Sequence, residues 1–543
     1  MESVLTTPPF AARCRVRLNS GCSPANFRLS PSRSRRAGDL RAAGLGSFLG
    51  YATGDHKNKN HEVDDVAAPA RLFVGLPIDT VTDGGAAAAN KARGIAAGMR
   101  AMKLLGVDGV ELPVFWSVAQ PDSPDRFAWA GYRAVADMAR DEGLCLRVTL
   151  HFHGSPTAGA GAGGGVPMLP VWVATAAADD PDIVFTDRSG GRHEDCLSFA
   201  VDELPVLHGR SPLDCYEAFF RSFAENFKDL FDSTITDVTV GLGPNGELRY
   251  PSYPPGTDGR GFTGVGEFQC YDKYMLSRLR RHAADSGHPL WGLSGPHDAP
   301  LYSDDSPDSS GFFTDSGSWR TPYGDFFLSW YSGELVSHGH RVLSLTNSIL
   351  PNSAAGGIEL SAKVPFMHWW HGAASRPAEA AAGLYKIGGK KNGYSPAAKM
   401  FAANLCTMII PGMDVCMNKQ RSRISGSSPD KLMVQIKNAC RRHGARIAGE
   451  NASLVVTHTS SFSRIRSNVV TAERVRPGHF TYQRMGEEFF SPEHWPAFVE
   501  FVRGVVCGEW DGDGDEDEQG EDGGDDVGRD VASSSNAREA QAV

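Results

Sequence analysis

The chain has 543 residues, 41% of them hydrophobic, and a formal net charge of −10. This length exceeds one average domain but fits one enlarged α/β barrel with tails. The absence of any run of 18 uncharged apolar residues argues against a membrane partner, and the acidic balance argues against nucleic acid as a partner.

The charge is concentrated at the two ends of the chain. Residues 1–50 carry eight Arg against two acidic residues, a net charge of +6, whereas residues 508–543 carry 13 acidic residues against two Arg, a net charge of −11. The Arg- and Ser-rich first segment lacks the apolar core of a secretory signal and is typical of an organelle transit peptide. A disordered basic segment without a targeting function would have the same composition. We therefore predict a transit peptide over 1–50, a linker over 51–67, a folded body over 68–507 and a disordered acidic tail over 508–543.

Strands and helices alternate along the first half of the predicted body. Such alternation predicts a parallel sheet that is covered on both faces, and the lack of a GxGxxG or P-loop motif disfavours a nucleotide-binding sheet. We predict an α/β fold, a (β/α)8 TIM barrel with long βα loops. In chain order the predicted elements are a strand at 72–77, a helix through Ile95, Met99, Met102 and Leu105 that ends at Gly106, a strand at 110–115, a helix near 130–142, a strand at 146–153, a helix from Pro212 that Ser211 caps, and a strand at 235–242.

Cysteine and histidine spacing gives no sign of a metal site. The ten Cys are widely separated, without a CxxC pair or a zinc-type Cys/His spacing. His151 and His153 alone are too few ligands. We predict mostly reduced core thiols, no metal and no cofactor.

The segment GLGPNGELRYPSYP at 241–254 ends a predicted strand in a Gly/Pro turn. The turn would hold Glu247 at a barrel rim, with Arg249 and two tyrosines close in sequence. A single Glu after a strand is more often a surface or ion-paired residue than a catalyst. The pattern alone therefore leaves the role of Glu247 open.

This segment resembles a signature of the plant β-amylases, glycoside hydrolase family 14. GVDGVELPVFWSV, PDIVFTDRSGGRHEDCLSF, GVGEFQCYDKYM, YGDFFLSWYSGELVSHGHRVL, AKVPFMHWW and GENA resemble further β-amylase blocks in the same order, over about residues 70–507. The family releases maltose from the non-reducing ends of α-1,4-glucans with inversion. Inversion needs a protonated acid and an ionised base about 6.5–9.5 Å apart.

The resemblance implies residue roles and a location. Glu247 corresponds to the general acid, whose pKa should be raised by partial desolvation, and Glu450 corresponds to the general base. A plastid stroma location in the chloroplast follows from the leader together with the family. The implied glucan contacts are His153, Lys363, His368, Asn451, Ala452 and Arg484.

Three departures from the family pattern concern groups that position the glucan. Pro113 stands where the family carries an Asp, and Pro411 where it carries a Thr. The lid segment at 154–165 is Gly- and Ala-rich and has no carboxylate, so ordering it over a sugar would cost chain entropy. These changes predict weak or absent hydrolysis.

The sequence thus leaves alternative functions open. The favoured one is a weakly active or non-catalytic β-amylase-family protein that regulates starch breakdown by binding α-1,4-glucan or other proteins of starch metabolism. The alternative is an active β-amylase that releases maltose. A DNA-binding β-amylase-like regulator is disfavoured, because the Arg-rich leader is short and carries no DNA-binding motif.

Overall fold

The computed structural model describes residues 70–82, 89–154, 169–257, 262–351, 357–386, 392–416, 426–452, 459–469 and 477–506. The predicted transit peptide, linker and acidic tail lie outside the described residues, as does all but Gly154 of the predicted lid. Those assignments stay predictions.

Within the described residues, eight parallel strands close into a barrel, and two further strands form a separate antiparallel pair, β4 with β5. Around the barrel the order is β1, β10, β9, β8, β7, β6, β3, β2. The ten strands are β1 Arg71–Gly75, β2 Gly109–Phe115, β3 Cys145–His151, β4 Val184–Thr186, β5 Arg192–Leu197, β6 Ile235–Val240, β7 Glu359–Lys363, β8 Thr407–Ile410, β9 Ile447–Glu450 and β10 His479–Tyr482.

Helices follow the barrel strands and cover their outer faces, which confirms the predicted (β/α)8 architecture. Within the described ranges, none of them has the length and apolar character needed to cross a membrane. The helices are α1 Ala89–Leu105, α2 Trp116–Ala119, α3 Ala130–Asp141, α4 Val171–Asp179, α5 Pro212–Phe227, α6 Lys273–Asp285, α7 Pro322–Ile349, α8 Pro377–Ala381, α9 Tyr394–Ala403, α10 Pro429–His443, α11 Thr459–Val469 and α12 Trp495–Val506.

The predicted elements agree with the observed ones to within a few residues at most ends. The start of α5 is confirmed in detail: Ser211 Oγ accepts a hydrogen bond from Asp214 N at 3.1 Å, and Asp214 Oδ2 accepts one from Ser211 N at 2.8 Å. This is a reciprocal capping box with Pro212 at the first helical position. The phenylalanines of α5 then face the barrel and are buried.

The lower interior of the barrel is ionic rather than aliphatic. Arg147 is fully buried and donates to Asp237 Oδ1 at 3.1 Å and to Thr481 Oγ1 at 2.9 Å. Arg71 closes the bottom with bonds to Asp237 at 2.8 and 2.9 Å and to Glu359 at 2.9 Å. These pairs tie five strands together. Removing one partner would leave an uncompensated buried charge, so they fix which strands meet.

A second buried ion cluster joins the β5–α5 connection to α7. Asp202 accepts from Arg341 Nη2 at 2.6 Å and lies 2.8 Å from His338 Nδ1. Burial alone would raise the pKa of Asp202, but His338 and Arg341 together lower it below its ordinary value. His338 Nε2 lies 3.0 Å from Leu242 O, so the cluster also supports the turn that precedes Glu247.

Candidate active site

A cavity of about 310 Å³ opens at the carboxyl ends of the barrel strands. Active sites of this fold lie at that end because the βα loops converge there. The lining includes all eight site residues predicted from the sequence: His153, Glu247, Lys363, His368, Glu450, Asn451, Ala452 and Arg484. The structure brings these residues together, while their individual roles stay predictions.

Glu247 is placed by a tight turn after β6. Asn245 and Gly246 have left-handed φ values of 56° and 79°, and a Cβ atom at Gly246 would lie 3.3 Å from the ring of His151. Glycine is therefore the residue that suits both the conformation and the space. The turn is then fixed to β7 by Leu248 N, which donates to Lys363 O at 2.9 Å. This contact brings Glu247 beside the end of β7.

The carboxylate of Glu247 is paired with a buried guanidinium. Arg249 Nε donates to Glu247 Oε2 at 2.6 Å, and the guanidinium lies 4.8 Å from the ring centre of Tyr253. Tyr253 also lines the cavity, whereas Tyr250 points into the core and donates to Tyr331 O at 3.0 Å. The Arg249 and Tyr253 side chains therefore shape the immediate surroundings of Glu247.

Glu450 ends β9 and is 3% exposed. Its Oε2 accepts from Lys363 Nζ at 2.7 Å, and its buried Oε1 has no hydrogen-bond partner among the described residues. Burial raises the pKa of Glu450 above its ordinary value, and Lys363 opposes this rise. The expectation was that the residue matching the base would stay readily ionised. The structure instead favours the protonated form of Glu450 relative to an ordinary glutamate.

The two residues after Glu450 are held by backbone and side-chain bonds. Asn451 Nδ2 donates to Gln483 O at 2.7 Å, and Gln483 N donates back to Asn451 Oδ1 at 2.7 Å. Ala452 N donates to Asp414 Oδ1 at 2.6 Å. These two hydrogen bonds hold Asn451 against Gln483 at the end of β10, and they help to position the next residue, Arg484, at the cavity.

The remaining predicted contacts come from three other loops. Arg484 donates to Leu76 O at 2.7 Å, which joins the ends of β10 and β1. His368 Nδ1 lies 2.8 Å from Ser427 Oγ. His153 is 5% exposed, and burial together with nearby His338 lowers its pKa to about 3, so the ring is neutral near pH 7. Neutral histidines can donate one and accept one hydrogen bond, as sugar hydroxyls require.

A separate set of possible metal ligands lies at the opposite end of the barrel. Asp237, Glu359 and His479 bring ligand atoms within 4.8 Å of one another. Arg71 already donates to both carboxylates, and Arg147 donates to Asp237. A divalent cation there would face two guanidinium groups, so the geometry fits an ionic layer of the barrel better than a metal centre.

Comparison with known proteins settles the family. The family model described as glycosyl hydrolase family 14 matches residues 73–509, which is most of the chain. The protein belongs to glycosyl hydrolase family 14. The solved catalytic domain of a β-amylase from Paenibacillus polymyxa has a similar fold, with a TM-score of 0.64, 23% identity, and coverage of 80% of this chain and 99% of that one.

Curated relatives include proteins named β-amylase and proteins named inactive β-amylase. The chain is 47% identical over 443 residues to inactive β-amylase 9 of Arabidopsis thaliana, covering 82% of this chain and 79% of the relative. It is 37% identical over 436 residues to the chloroplastic β-amylase 2 of Oryza sativa subsp. japonica, covering 80% and 77%. It is 34% identical over 439 residues to the chloroplastic inactive β-amylase 4 of Arabidopsis thaliana, covering 80% and 81%.

Pro113, one of the departures from the family 14 pattern, lies on the interior face of β2. Side chains alternate along a strand, so Pro113 shares this face with Glu111 below it and with Phe115, which lines the cavity. Proline has no amide proton, and β1 pairs only with residues 109–111 of β2. Position 113 lies beyond the residues of β2 that pair with β1, so β2 tolerates a residue without an amide proton there.

The other two departures concern Pro411 and the lid segment, of which only Gly154 is described. Pro411 follows β8 and lines the cavity without a side-chain hydrogen-bonding group. Gly154, the first lid residue, also lines the cavity and donates its N–H to Asp195 O at 3.0 Å. The rest of the lid segment, 155–165, lies outside the described residues.

Besides Arg249 and Tyr253, the side chains near the cavity that were not predicted as site residues include His151 and Glu111. His151 lines the cavity, and burial followed by the charge of Lys363 lowers its pKa to about 3. Glu111 lies on the interior face of β2 and is 1% exposed. A charged residue inside the otherwise apolar strand segment GVELPVF was the sequence signal that could have identified it.

Proposed function

We propose that this family 14 protein binds α-1,4-glucan chains in its barrel cavity, hydrolyses them weakly or not at all, and acts in the regulation of starch breakdown. One observation carries the proposal. The cavity keeps the complete set of predicted sugar-contact residues, while Glu450, the residue matching the general base, is buried and shifted toward its protonated form.

The cavity surroundings support weak hydrolysis for a second reason. Pro113 and Pro411 present no hydrogen-bonding side-chain group toward the barrel interior or the cavity mouth. A hydrogen bond lost to a sugar hydroxyl costs about 1–3 kcal/mol when its partner is left unsatisfied. Two such losses, about 2–6 kcal/mol together, would reduce the rate by about 30-fold to about 10⁴-fold if they acted on the transition state. The relative of 47% identity that is named inactive is consistent with this reading.

The location and partners form part of the same proposal. Relatives named chloroplastic and the composition of residues 1–50 support the plastid stroma as the site of action. Other proteins of starch metabolism are the proposed partners, since a glucan binder that does not cleave its ligand must act through something else on the granule or in the stroma.

The proposal is tested by measuring binding and hydrolysis on the same preparation. The full chain should be retarded in native gels containing amylopectin, yet release far less maltose from soluble starch than a β-amylase assayed beside it. Lys363→Met should reduce the retardation, because Lys363 is a predicted glucan contact. Lys431→Met, an exposed lysine outside the cavity, is the matched control and should not change it.

Two outcomes would contradict the proposal. Maltose release comparable to the reference enzyme, and lost on Glu247→Gln, would establish the active-enzyme alternative. No retardation by any α-1,4-glucan would reject the cavity as a glucan site and leave protein partners as the only route to regulation.

A further inference from the structure

A second pocket, of about 630 Å³, lies beside α10. It has no lining residue in common with the barrel cavity. Helix α10 forms one wall with Gln435, Asn438, Arg441 and Arg442, which recur at helical spacing and so share one face of the helix. The rest of the wall includes residues from the segment between β7 and α9, so two parts of the chain build the second pocket.

The lining of the second pocket is cationic, although the chain carries a net charge of −10. It includes Arg376, Arg441 and Arg442 and no carboxylate. Arg441 and Arg442 are exposed and form no hydrogen bond or ion pair with another described residue. The dipole of α10 favours basic residues in its last turn, but it does not account for Arg376, which lies in another segment. Two of the three guanidinium groups therefore have no paired carboxylate among the described residues.

Arg376 is held in the pocket wall by a buried network. Its Nη1 donates to Glu379 Oε1 at 3.0 Å and also to Gln435 Oε1. Gln435 Nε2 donates to Glu379 Oε2 at 3.2 Å, and His371 Nε2 lies 3.1 Å from Gln435 Oε1. Glu379 is 2% exposed and does not line the pocket. These bonds fix the Arg376 guanidinium before a ligand arrives, which reduces the entropy that binding must remove.

Polar atoms of the same wall have no protein partner. Arg376 Nε and Asn392 Oδ1 are buried, and neither has a hydrogen-bond partner among the described residues. Asn438 also forms no hydrogen bond within the part of the chain that the structure describes. Native proteins seldom leave buried polar atoms unpaired, so an explanation by a ligand or by water is required. The wall thus offers an unpaired donor, an unpaired acceptor and an amide group that can do both.

These groups match the chemistry of a phosphorylated sugar. Guanidinium groups bind phosphate oxygens through paired, charge-assisted hydrogen bonds. Amide side chains both donate and accept hydrogen bonds, as sugar hydroxyl groups do. An acidic peptide such as the tail 508–543 would be matched by a continuous row of cations. Here amide side chains separate Arg376 from the arginines at the end of α10, which favours a ligand that carries both phosphate and hydroxyl groups.

We propose that the second pocket binds a phosphorylated sugar, whose phosphate group bonds to the arginines and whose hydroxyl groups bond to Asn392 and Asn438. The site goes beyond the proposed glucan binding and does not depend on it, because the pocket lies outside the barrel cavity. It gives the protein a means to respond to the concentration of a free sugar phosphate, since a ligand that binds only the folded state stabilises it.

Calorimetric titration of the full chain at fixed ionic strength tests the site. The probes are glucose 1-phosphate, glucose 6-phosphate, fructose 1,6-bisphosphate, inorganic phosphate and glucose. At least one sugar phosphate should bind about 10-fold more tightly than inorganic phosphate, because the amide groups add hydrogen bonds to its hydroxyls. Glucose should bind at least about 10-fold more weakly than that sugar phosphate, because it lacks the charged group.

Substitutions in the pocket separate the two parts of the ligand. Arg442→Gln should weaken the binding of both the sugar phosphate and inorganic phosphate by about 10-fold, through the loss of charge-assisted hydrogen bonds. Asn438→Ala should weaken the binding of the sugar phosphate and leave that of inorganic phosphate unchanged. Arg281→Gln removes an exposed arginine on α6 outside the pocket and is the matched control, which should change neither affinity.

Several results would overturn the inference. One is that none of the three sugar phosphates binds. Equal affinities for the sugar phosphates and inorganic phosphate, or equal effects of Arg442→Gln and Arg281→Gln, would show only a general attraction of anions to a cationic surface. A synthetic peptide with the sequence of residues 509–526 that binds more tightly than any sugar phosphate, and loses its affinity in Arg442→Gln, would assign the pocket to the acidic tail instead.

Discussion

Lys363 should support both the fold and the protonation equilibrium of the cavity, and Lys363→Met tests this. The lysine side chain is 9% exposed and that of Glu450 is 4% exposed, and their charged atoms lie 2.7 Å apart. Methionine keeps the length of the aliphatic chain and removes only the charge. The variant therefore leaves the buried carboxylate of Glu450 without its paired cation, whereas Arg484 still acts on nearby buried Glu111.

The magnitude follows from the burial of this pair. Removing one partner of a buried ion pair costs about 3–5 kcal/mol, and we expect the lower end because Glu450 can take up a proton. Unfolding entropy of about 2.1 cal/mol/K per residue over a barrel of roughly 440 residues converts about 3 kcal/mol into a melting temperature lower by about 3 °C. An exposed-lysine change should fall within about 0.5 kcal/mol.

The loss of stability in Lys363→Met should depend on pH, and the protonation of Glu450 determines the direction of this dependence. In Lys363→Met the folded state holds the Glu450 proton more tightly than the unfolded state does, so lowering the pH stabilises the folded variant. The loss of stability relative to the wild type should therefore be largest near pH 8 and shrink toward pH 5. Thermal and urea unfolding across this range would measure it, with Lys431→Met as the control. A loss that is absent at every pH, or that grows as the pH falls, would refute the reasoning.

Three further predictions follow from other parts of the chain. Asp202→Asn should destabilise the folded protein by about 3–5 kcal/mol at pH 7, and since the pKa of Asp202 is lowered in the folded state, urea unfolding should show the difference shrinking below about pH 4. Pro113→Asp together with an Asp-bearing segment in place of 154–165 should raise maltose release from starch, and Glu247→Gln should abolish the gain; an unchanged rate would show that neither element limits hydrolysis. Residues 1–50 should carry a fused fluorescent protein into chloroplasts, and a cytosolic or nuclear signal would reject the transit peptide.

Local signals in the sequence were sufficient to predict the architecture. Alternating strands and helices gave the barrel, and the Ser211 cap with Pro212 gave the start of α5, because these features depend on residues that are close in the chain. The motif around Glu247 also predicted that this residue follows a barrel strand, and the family resemblance paired it with Glu450. The structure shows that Glu450 ends β9, and because strand ends of a barrel face one end, the two residues meet at one cavity.

The electrostatics of the cavity could not be predicted in the same way. Lys363, Glu111 and Glu450 come from β7, β2 and β9, and each looks like an ordinary charged residue in its own segment. Their effect on one another depends on the barrel register and on the burial that closure imposes. A pKa responds to neighbouring charges and lost solvent rather than to sequence neighbours. The sequence therefore determined which groups the site contains, and the tertiary structure decided the burial that raises the pKa of Glu450 and the position of Lys363, which opposes this rise.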